Sequence, residues 1–308
     1  MTTLLYTHEA CLEHDPGSYH PESPARLKAV LEALAAPEFA GLKRREAPQA
    51  DLADIARVHP RQYIEHVLAA VPKSGHAGLD PDTVLSPRSG EAALRAAGAA
   101  CAAVDAVVEG EAETAFCATR PPGHHAEPSR SMGFCLFNNV AIAAERAREV
   151  HGLERVAVID FDVHHGNGTQ AMFEDEANLF YASTHQFPLY PGTGSPGETG
   201  VGNIFNVPLR PMAGSVEFRR AYSEHILPAL DDFRPDLVII SAGFDAHRRD
   251  PLAQLELHED DYGWVTEQLM QCAARHASGR VVSALEGGYD LQALKASTTT
   301  HVRALMRG

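Results

Sequence analysis

Short apolar runs alternate along this chain with longer stretches of helical character. Several runs are apolar throughout, a pattern typical of parallel strands buried on both faces. The predicted strands are residues 4–6, 114–118, 155–159, 179–183, 237–241 and 280–285. The predicted helices are residues 24–36, 60–71, 89–109, 138–151, 215–233, 259–276 and 291–306. Strands alternating with helices predict an α/β fold with a mainly parallel sheet covered by helices on both sides.

The chain shows no repeat, low-complexity segment or linker that would divide it, so we expect residues 1–308 to form one domain. Residues 185–206 differ from the rest, because glycine and proline are dense and no periodicity holds. We predict a surface loop there. Loops of this length in compact domains are often functional.

Composition narrows the classes of function. Asp and Glu total 41 against 26 Lys and Arg, a net charge of −15, which argues against binding nucleic acid through its phosphates. The five cysteines form no CxxC pair, which favours a reducing compartment. The first ten residues lack a signal-peptide pattern, and the alanine-rich stretch 92–108 carries charges that a membrane span would avoid. We therefore expect a cytoplasmic protein that binds neither membranes nor nucleic acid.

Polar side chains follow four of the predicted strands, at the end where ligand sites of parallel sheets lie. In chain order they are His124 and His125; Asp160, Asp162, His164, His165 and Asn167; Asp245 and His247; and Tyr289. If the strands are parallel, these groups converge on one edge of the sheet. Spacing alone gives His165 and His247 no role.

The spacing of Asp162 and His164 indicates a metal site, because residues i and i+2 of an extended segment point the same way. Asp245 could supply a third ligand, and three protein ligands with an open position are typical of catalytic zinc. An isolated Asp-x-His is usually a solvated turn, but the neighbouring polar groups argue against that alternative. His124 and His125 fit acid–base chemistry near neutral pH.

Seven segments together resemble the zinc-dependent histone deacetylase and acetylpolyamine amidohydrolase family. They are HPESPARL (20–27), RPPGHHAE (120–127), GFCLFNNVA (133–141), VIDFDVHHGNGTQ (158–170), YPGTG (190–194), SAGFDAHRRDPL (241–252) and LEGGY (285–289). They occur in family order and cover nearly the whole chain. The sequences of these segments are similar to those of the class II branch and its bacterial-type amidohydrolases. The resemblance implies an arginase/deacetylase-like three-layer fold with about eight strands.

The resemblance also implies roles for the polar residues. One zinc ion per chain would be held by Asp162, His164 and Asp245. His125 would take a proton from the attacking water and pass it to the leaving amine, and Tyr289 would stabilise the oxyanion. The orienting partners would be Asp160 for His124 and Asn167 for His125. A neutral Asn167 favours the base form of His125 more than an aspartate would.

The family resemblance also implies which residues bind the substrate and which bind potassium. The predicted acyl-lysine tunnel contains Gly133, Phe134, Tyr190 and Leu252, with Arg26 near an internal acetate-exit channel. The resemblance implies a structural K⁺ at Asp160, Asp162, His164, Ser183 and Thr184. A second K⁺ site would lie near Phe173, Glu176 and Leu179.

We predict a zinc-dependent deacetylase that acts on acetyl-lysine in peptides or proteins. A glutamate that serves polyamine-specific relatives would align near Leu252, which is apolar. Glu22 and the loop at 185–200 could still form an acidic rim, so acetylpolyamine hydrolysis is the alternative. A non-catalytic acyl-ligand binder is a remote alternative, and a homo-oligomer is possible. Asn167 and His247 stand where binuclear arginases have further metal ligands, which argues against a ureohydrolase.

Overall fold

A parallel sheet of eight strands forms the centre of the protein. The computed structural model describes residues 1–307. The strands are β1 (Thr3–Thr7), β2 (Lys43–Glu46), β5 (Thr114–Cys117), β6 (Val156–Asp160), β7 (Leu179–Gln186), β8 (Ile204–Leu209), β9 (Leu237–Ala242) and β10 (Val281–Leu285); β3 (Ala77–Gly78) and β4 (Val84–Leu85) form a separate antiparallel pair. The sheet order is β2-β1-β5-β10-β9-β6-β7-β8, and every pairing in it is parallel. This confirms the predicted α/β fold with about eight strands.

Helices cover both faces of the sheet. They are α1 (Ala10–Glu13), α2 (Pro24–Ala33), α3 (Leu52–Ile55), α4 (Arg61–Ala69), α5 (Ser89–Val108), α6 (Asn139–Glu149), α7 (Asn167–Phe173), α8 (Ser215–Ala221), α9 (Leu227–Phe233), α10 (Glu259–His276) and α11 (Leu291–Arg307). None of the helices formed by residues 1–307 has the length and apolar character needed to cross a bilayer.

The apolar runs are explained by this layered arrangement. In β6, Ala157 and Ile159 pack into the core on one face, and Val156 and Val158 pack into the core on the other. Successive side chains of a strand point to opposite faces, so a strand covered on both sides must be apolar at every position.

Besides the short pair β3 and β4, the sequence pattern missed two strands, and these are the edge strands of the main sheet. All four residues of β2 are charged and exposed, so no apolar run marks it. Strand β8 begins at Ile204, inside the stretch that was predicted to be a loop. That prediction is wrong at both ends, because β7 continues to Gln186 and the irregular segment spans residues 187–203.

Candidate active site

The predicted polar groups lie where the central strands β5, β6, β9 and β10 end. These four strands are neighbours in the sheet and run parallel, so their carboxyl ends share one edge. Ligands of open parallel sheets bind outside this edge.

At the end of β6 and just after it, apolar and polar residues alternate, and this alternation decides which side chains face the site. Phe161 and Val163 are fully buried in the core on one side. Asp160, Asp162 and His164 occupy the alternate positions, with the Asp162 and His164 amides donating to the carboxylates of Asp160 (3.1 Å) and Asp162 (2.9 Å). The sequence Asp-Phe-Asp-Val-His thus places its polar groups together because its apolar groups are held by the core.

Asp162, His164 and Asp245 form a buried group of potential metal ligands, with one ligand atom of each within 4.8 Å of the others. His164 Nδ1 lies 3.1 Å from Asp162 Oδ1 and 3.1 Å from Asp245 Oδ2. Backbone amides hold the carboxylates in place: Gly287 donates to Asp162 Oδ2 and Val163 donates to Asp245 Oδ1, both at 2.8 Å.

Two glycines allow the backbone to approach these carboxylates. A Cβ atom on Gly243 would collide with the Asp162 carboxylate, and one on Gly287 would collide with the carboxylates of Asp162 and Asp245. Gly287 comes from the LEGGY motif after β10, so this segment packs directly against the ligand group.

The charges of this group attract a cation. Burial opposes ionisation of His164, but hydrogen bonds with Asp162 and Asp245 raise its pKa to about 10. Two buried carboxylates and one imidazole suit zinc, which accepts oxygen and nitrogen ligands and leaves a fourth position open at catalytic sites. The residues present therefore fit the expected metal.

A second group of potential ligands, Asp231, Cys272 and His276, lies between α9 and α10. Its carboxylate is already paired with Arg275 (2.8 Å) and His276 (2.7 Å). Burial raises the pKa of the Cys272 thiol to about 11. A protonated thiol is a poor metal ligand, so this group fits a metal less well.

The tautomer of His125 is set by a chain of hydrogen bonds. Asn167 Nδ2 donates to Glu127 Oε1 (2.8 Å), which leaves Asn167 Oδ1 facing His125 Nδ1 at 2.9 Å. His125 must therefore donate from Nδ1, and its Nε2 carries the free lone pair. Burial and the charge of His124 hold the pKa of His125 well below its usual value, so it is neutral near pH 7.

His124 has the opposite electrostatic environment. Its Nδ1 lies 2.9 Å from Asp160 Oδ2, which also accepts a hydrogen bond from the Tyr181 hydroxyl (3.1 Å). Burial alone would lower the pKa of His124, but Asp160 and Asp162 outweigh it and raise the pKa well above its usual value. Two adjacent histidines, with ring centroids 4.0 Å apart, thus hold different charges.

A cavity of about 200 Å³ opens beside His164. Gly133, Phe134, Tyr190 and Leu252 line it, four of the five residues predicted to bind substrate. Gly133 has φ +55°, and a Cβ there would collide with the His125 ring. This turn therefore lies directly against the His125 ring.

Tyr289 also lines the cavity, and its position is fixed from two sides. Its backbone amide donates to the Asp250 carboxylate at 2.7 Å. The Arg26 guanidinium lies 4.9 Å from the centre of its ring, and Arg26 Nε donates to Gly288 O at 2.6 Å. Burial raises the pKa of Tyr289 well above its usual value, so the hydroxyl keeps its proton.

The structure removes Glu22 from the acidic rim that the sequence left open as an alternative. Glu22 is 0% exposed, and its carboxylate pairs with Arg120 (2.6 Å) and Arg26 (3.0 Å). It therefore cannot meet a substrate at the tunnel mouth. The acidic residue that lines the cavity is Asp82, in the turn between β3 and β4.

The residues of the first predicted K⁺ site are buried around β6 and β7; they are Asp160, Asp162, His164, Ser183 and Thr184. Asp160 and Ser183 face each other in register. This site stays a prediction. At the second predicted site, the carbonyl oxygens of Phe173, Glu176 and Leu179 all lie within 3.0 Å of the side-chain nitrogen of Asn203.

Sequence reasoning missed two positioning residues. Asp250 accepts from the Tyr289 amide, and Glu286 Oε2 accepts from the amides of Gly123 (2.7 Å) and His124 (3.2 Å). Both stand in segments that carry the family resemblance, RRDPL and LEGGY, and their place in these segments was the available signal. His165 is also buried, bonded to Thr193 at 2.8 Å.

Comparisons with known proteins agree with this geometry. Residues 20–305 match the histone deacetylase domain family. A histone deacetylase-like amidohydrolase from Pseudomonas aeruginosa is 44% identical, covering 93% of this chain and 81% of that protein. A probable deacetylase from Archaeoglobus fulgidus is 37% identical, covering 100% of this chain and 87% of that protein. The crystal structure of the HDA15 HD domain matches with a TM-score of 0.95 at 33% identity, covering 99% of this chain and 88% of that one. The chain therefore belongs to the histone deacetylase family of deacetylases and amidohydrolases.

Proposed function

We propose that this protein is a zinc-dependent deacetylase that hydrolyses the acetyl amide of acetyl-lysine in peptides or proteins. One observation carries the proposal: His125, Tyr289 and the potential metal ligand His164 border a single cavity. The cavity is about 200 Å³ in volume and has the aromatic walls Phe134 and Tyr190. These are the groups that a metal-assisted amide hydrolysis needs, placed beside a space that fits a thin aliphatic chain.

Asp162, His164 and Asp245 would hold the zinc ion, one per chain. When bound, zinc supplies Lewis acidity, which polarises the acetyl carbonyl and makes a nearby water molecule more acidic. The backbone amides of Val163 and Gly287 keep the carboxylates oriented for this task.

His125 would act first as base and then as acid. Its neutral Nε2 accepts a proton from the attacking water as the water oxygen bonds to the carbonyl carbon. The imidazolium then donates that proton to the amide nitrogen as the carbon–nitrogen bond breaks, and the products are acetate and the free amine. His125 keeps its Nδ1 proton throughout and donates it in a hydrogen bond to Asn167 Oδ1. His124, charged and paired with Asp160, adds positive potential near the developing negative charge.

Tyr289 would donate its hydroxyl proton in a hydrogen bond to the carbonyl oxygen as that oxygen becomes negative. Its protonated state is secured by the raised pKa. Arg26 and Asp250 are positioning residues, because they contact the ring and the backbone of Tyr289 and not the cavity.

Acetylpolyamine hydrolysis is the second candidate, and Asp82 favours it. The Asp82 carboxylate lines the cavity and could bind the distant ammonium of a polyamine. Leu252 lines the same cavity near the position where the family resemblance places a glutamate in polyamine-specific relatives, and this apolar residue offers the ammonium no second partner. We favour acetyl-lysine on this ground.

A structural K⁺ at the first monovalent site and a cytoplasmic location complete the proposal. The register of Asp160 with Ser183 supports the K⁺ site. All five cysteines are free and buried, which suits a reducing compartment.

The test measures acetate release from an acetyl-lysine peptide, acetylputrescine and acetylspermidine by the zinc-loaded protein. We expect the highest kcat/KM on the peptide, loss of activity with a chelator, and recovery with one equivalent of zinc. Asp245→Asn should abolish activity, whereas Asp236→Asn, at the opposite end of β9, should not. Acetylpolyamines preferred a hundredfold would establish the second candidate. No release from any substrate would leave a non-catalytic acyl-ligand binder.

A further inference from the structure

Three main-chain carbonyl oxygens converge where the chain passes from α7 to β7. The Glu176 amide donates to Phe173 O at 3.0 Å, and the Leu179 amide donates to Glu176 O at 2.9 Å. These two successive turns bring the carbonyls of Phe173, Glu176 and Leu179 to the same side of the segment. We call this set the carbonyl ring.

The side-chain amide of Asn203 occupies the centre of the carbonyl ring. Its Nδ2 lies 2.7 Å from Phe173 O, 3.0 Å from Glu176 O and 2.6 Å from Leu179 O. Carbonyl oxygens only accept hydrogen bonds, so the atom facing them must be the nitrogen and not Oδ1. Asn203 Oδ1 in turn accepts from the Val201 amide at 3.2 Å, which fixes the orientation of the carboxamide.

The neighbouring loop is shaped around this side chain. Gly200 has φ +55°, and a Cβ there would lie 2.6 Å from Asn203 Oδ1 and 2.6 Å from Glu174 O. Asn203 itself is 4% exposed, and its main-chain carbonyl accepts from the Tyr181 amide at 3.0 Å. The carboxamide is therefore buried in a close-fitting space at the start of β8.

The carbonyl ring includes the last residue of α7, where a helix concentrates negative partial charge. Such an oxygen cluster suits a monovalent cation, as the resemblance implied for Phe173, Glu176 and Leu179. The position that a cation would take between the oxygens is filled by Asn203 Nδ2, and its two protons serve three acceptors. The residues present therefore do not fit a K⁺ ion at this site.

We propose that the Asn203 carboxamide permanently replaces the second monovalent cation of the family fold in this chain. The predicted site near Asp160 is then the one monovalent-cation site left to this chain. The carbonyl ring is held instead by hydrogen bonds from the side chain of Asn203. This inference concerns the fold and is independent of the proposed deacetylase activity.

Anomalous diffraction from crystals soaked in thallium(I), a K⁺ analogue, tests the proposal directly. We expect no thallium peak in the carbonyl ring of the wild-type protein and a peak there in Asn203→Ala. A peak in the wild-type ring would overturn the proposal. Absence of a peak in both proteins would also overturn it, because the ring would then not be a cation site at all.

Equilibrium dialysis with thallium(I) gives the same answer in solution. Asn203→Ala should bind one more ion per chain than the wild type, and KCl should raise its Tm more than choline chloride does at equal ionic strength. Asn178→Ala, a change at a half-buried residue of the same turn, should behave like the wild type. If Asn203→Ala fails to fold, Asn203→Ser takes its place, since its shorter side chain also empties the position that Nδ2 fills. Equal ion counts in wild type and variant would contradict the proposal.

Discussion

The charge state of His125 depends on Asn167, the side chain hydrogen-bonded to its Nδ1. Asn167 is neutral and accepts a hydrogen bond from His125 Nδ1, while burial and the charge of His124 keep the pKa of His125 low. Replacing Asn167 by aspartate adds a negative partner that stabilises the imidazolium and raises this pKa by about 1–3 units. Less of the base form is then present at low pH. We predict that the acid limb of the kcat/KM profile of Asn167→Asp moves to higher pH.

Glu127→Gln is the control for this prediction, because it changes a charge beside Asn167 without changing the residue bonded to His125. Its pH–rate profile should stay closer to that of the wild type. An unmoved acid limb in Asn167→Asp would show that His125 is not the group that titrates in the rate.

The Tyr289 hydroxyl has one predicted task, the stabilisation of negative charge on the carbonyl oxygen. We predict that Tyr289→Phe lowers kcat by about 100- to 1,000-fold with little change in Tm, as expected when one oxyanion donor is removed. Tyr190→Phe removes the hydroxyl of another ring lining the cavity and should cost far less. Steady-state kinetics on the acetyl-lysine peptide measure both. Full kcat in Tyr289→Phe would refute the oxyanion role.

At the scale of elements, the segments that follow the strands bring backbone very close to the proposed catalytic side chains. Gly133 is such a position, with a left-handed φ and the His125 ring where a Cβ would be. We predict that Gly133→Ala loses activity at least tenfold, because the His125 ring must move. It should also lose about 1 kcal/mol or more of stability from its backbone conformation.

Gly152→Ala is a matched control for that prediction. Gly152 has φ +69°, close to that of Gly133, but among residues 1–307 nothing lies within 4 Å of the point that its Cβ would occupy. It should lose a similar amount of stability, measured by urea unfolding, and keep its activity. Equal activity in the two variants would mean that the contact with His125 does not matter.

The elements that the sequence predicted are those whose burial leaves an apolar pattern. Strands β5, β6, β9 and β10 are covered on both faces, and their ends place Asp162, His164 and Asp245 as the spacing indicated. Edge strand β2 is entirely charged and exposed, so its pairing with β1 is invisible to periodicity.

Long-range polar pairs were equally hidden from the sequence. Glu22 is acidic and near the start of a helix, which suggests exposure, yet it is buried by Arg120, 98 positions away in the chain. Asn203 belongs to no motif, and its proposed role follows only from the three carbonyls that the fold brings around it. Such contacts depend on how the chain returns to the same place, which a local pattern does not encode.

At the scale of the whole molecule, buried neutral histidines contribute to the loss of stability in acid. His301 is 0% exposed and bonded to Thr266 (2.7 Å) and Ser283 (2.8 Å), and burial lowers its pKa to about 3. Burial likewise lowers the pKa of His59, His165 and His185 to about 4, 4 and 3. In the unfolded chain these groups take up protons near pH 6.5.

Between pH 6.5 and the folded-state pKa, the unfolded chain therefore binds protons that the folded protein does not. Stability from each such histidine is complete above pH 6.5 and falls by about 1.4 kcal/mol per pH unit below it. We predict that His301→Gln flattens the decline in the free energy of unfolding between pH 6.5 and 4, measured by urea titration. The exposed His66→Gln should leave the slope unchanged. Parallel curves for His301→Gln and wild type would contradict the assignment.

The position of β10 in the sheet has a consequence for synthesis on the ribosome. This strand is the last of the ten to be made, yet it lies between β5 and β9 and joins the two halves of the sheet. Gly287 and Tyr289 follow directly after it. Until this segment leaves the ribosome, the sheet lacks the strand between β5 and β9. The proposed catalytic pocket then lacks Gly287 and Tyr289. Under the proposed function, metal binding and hydrolysis therefore become possible only after residues 281–289 have left the ribosome.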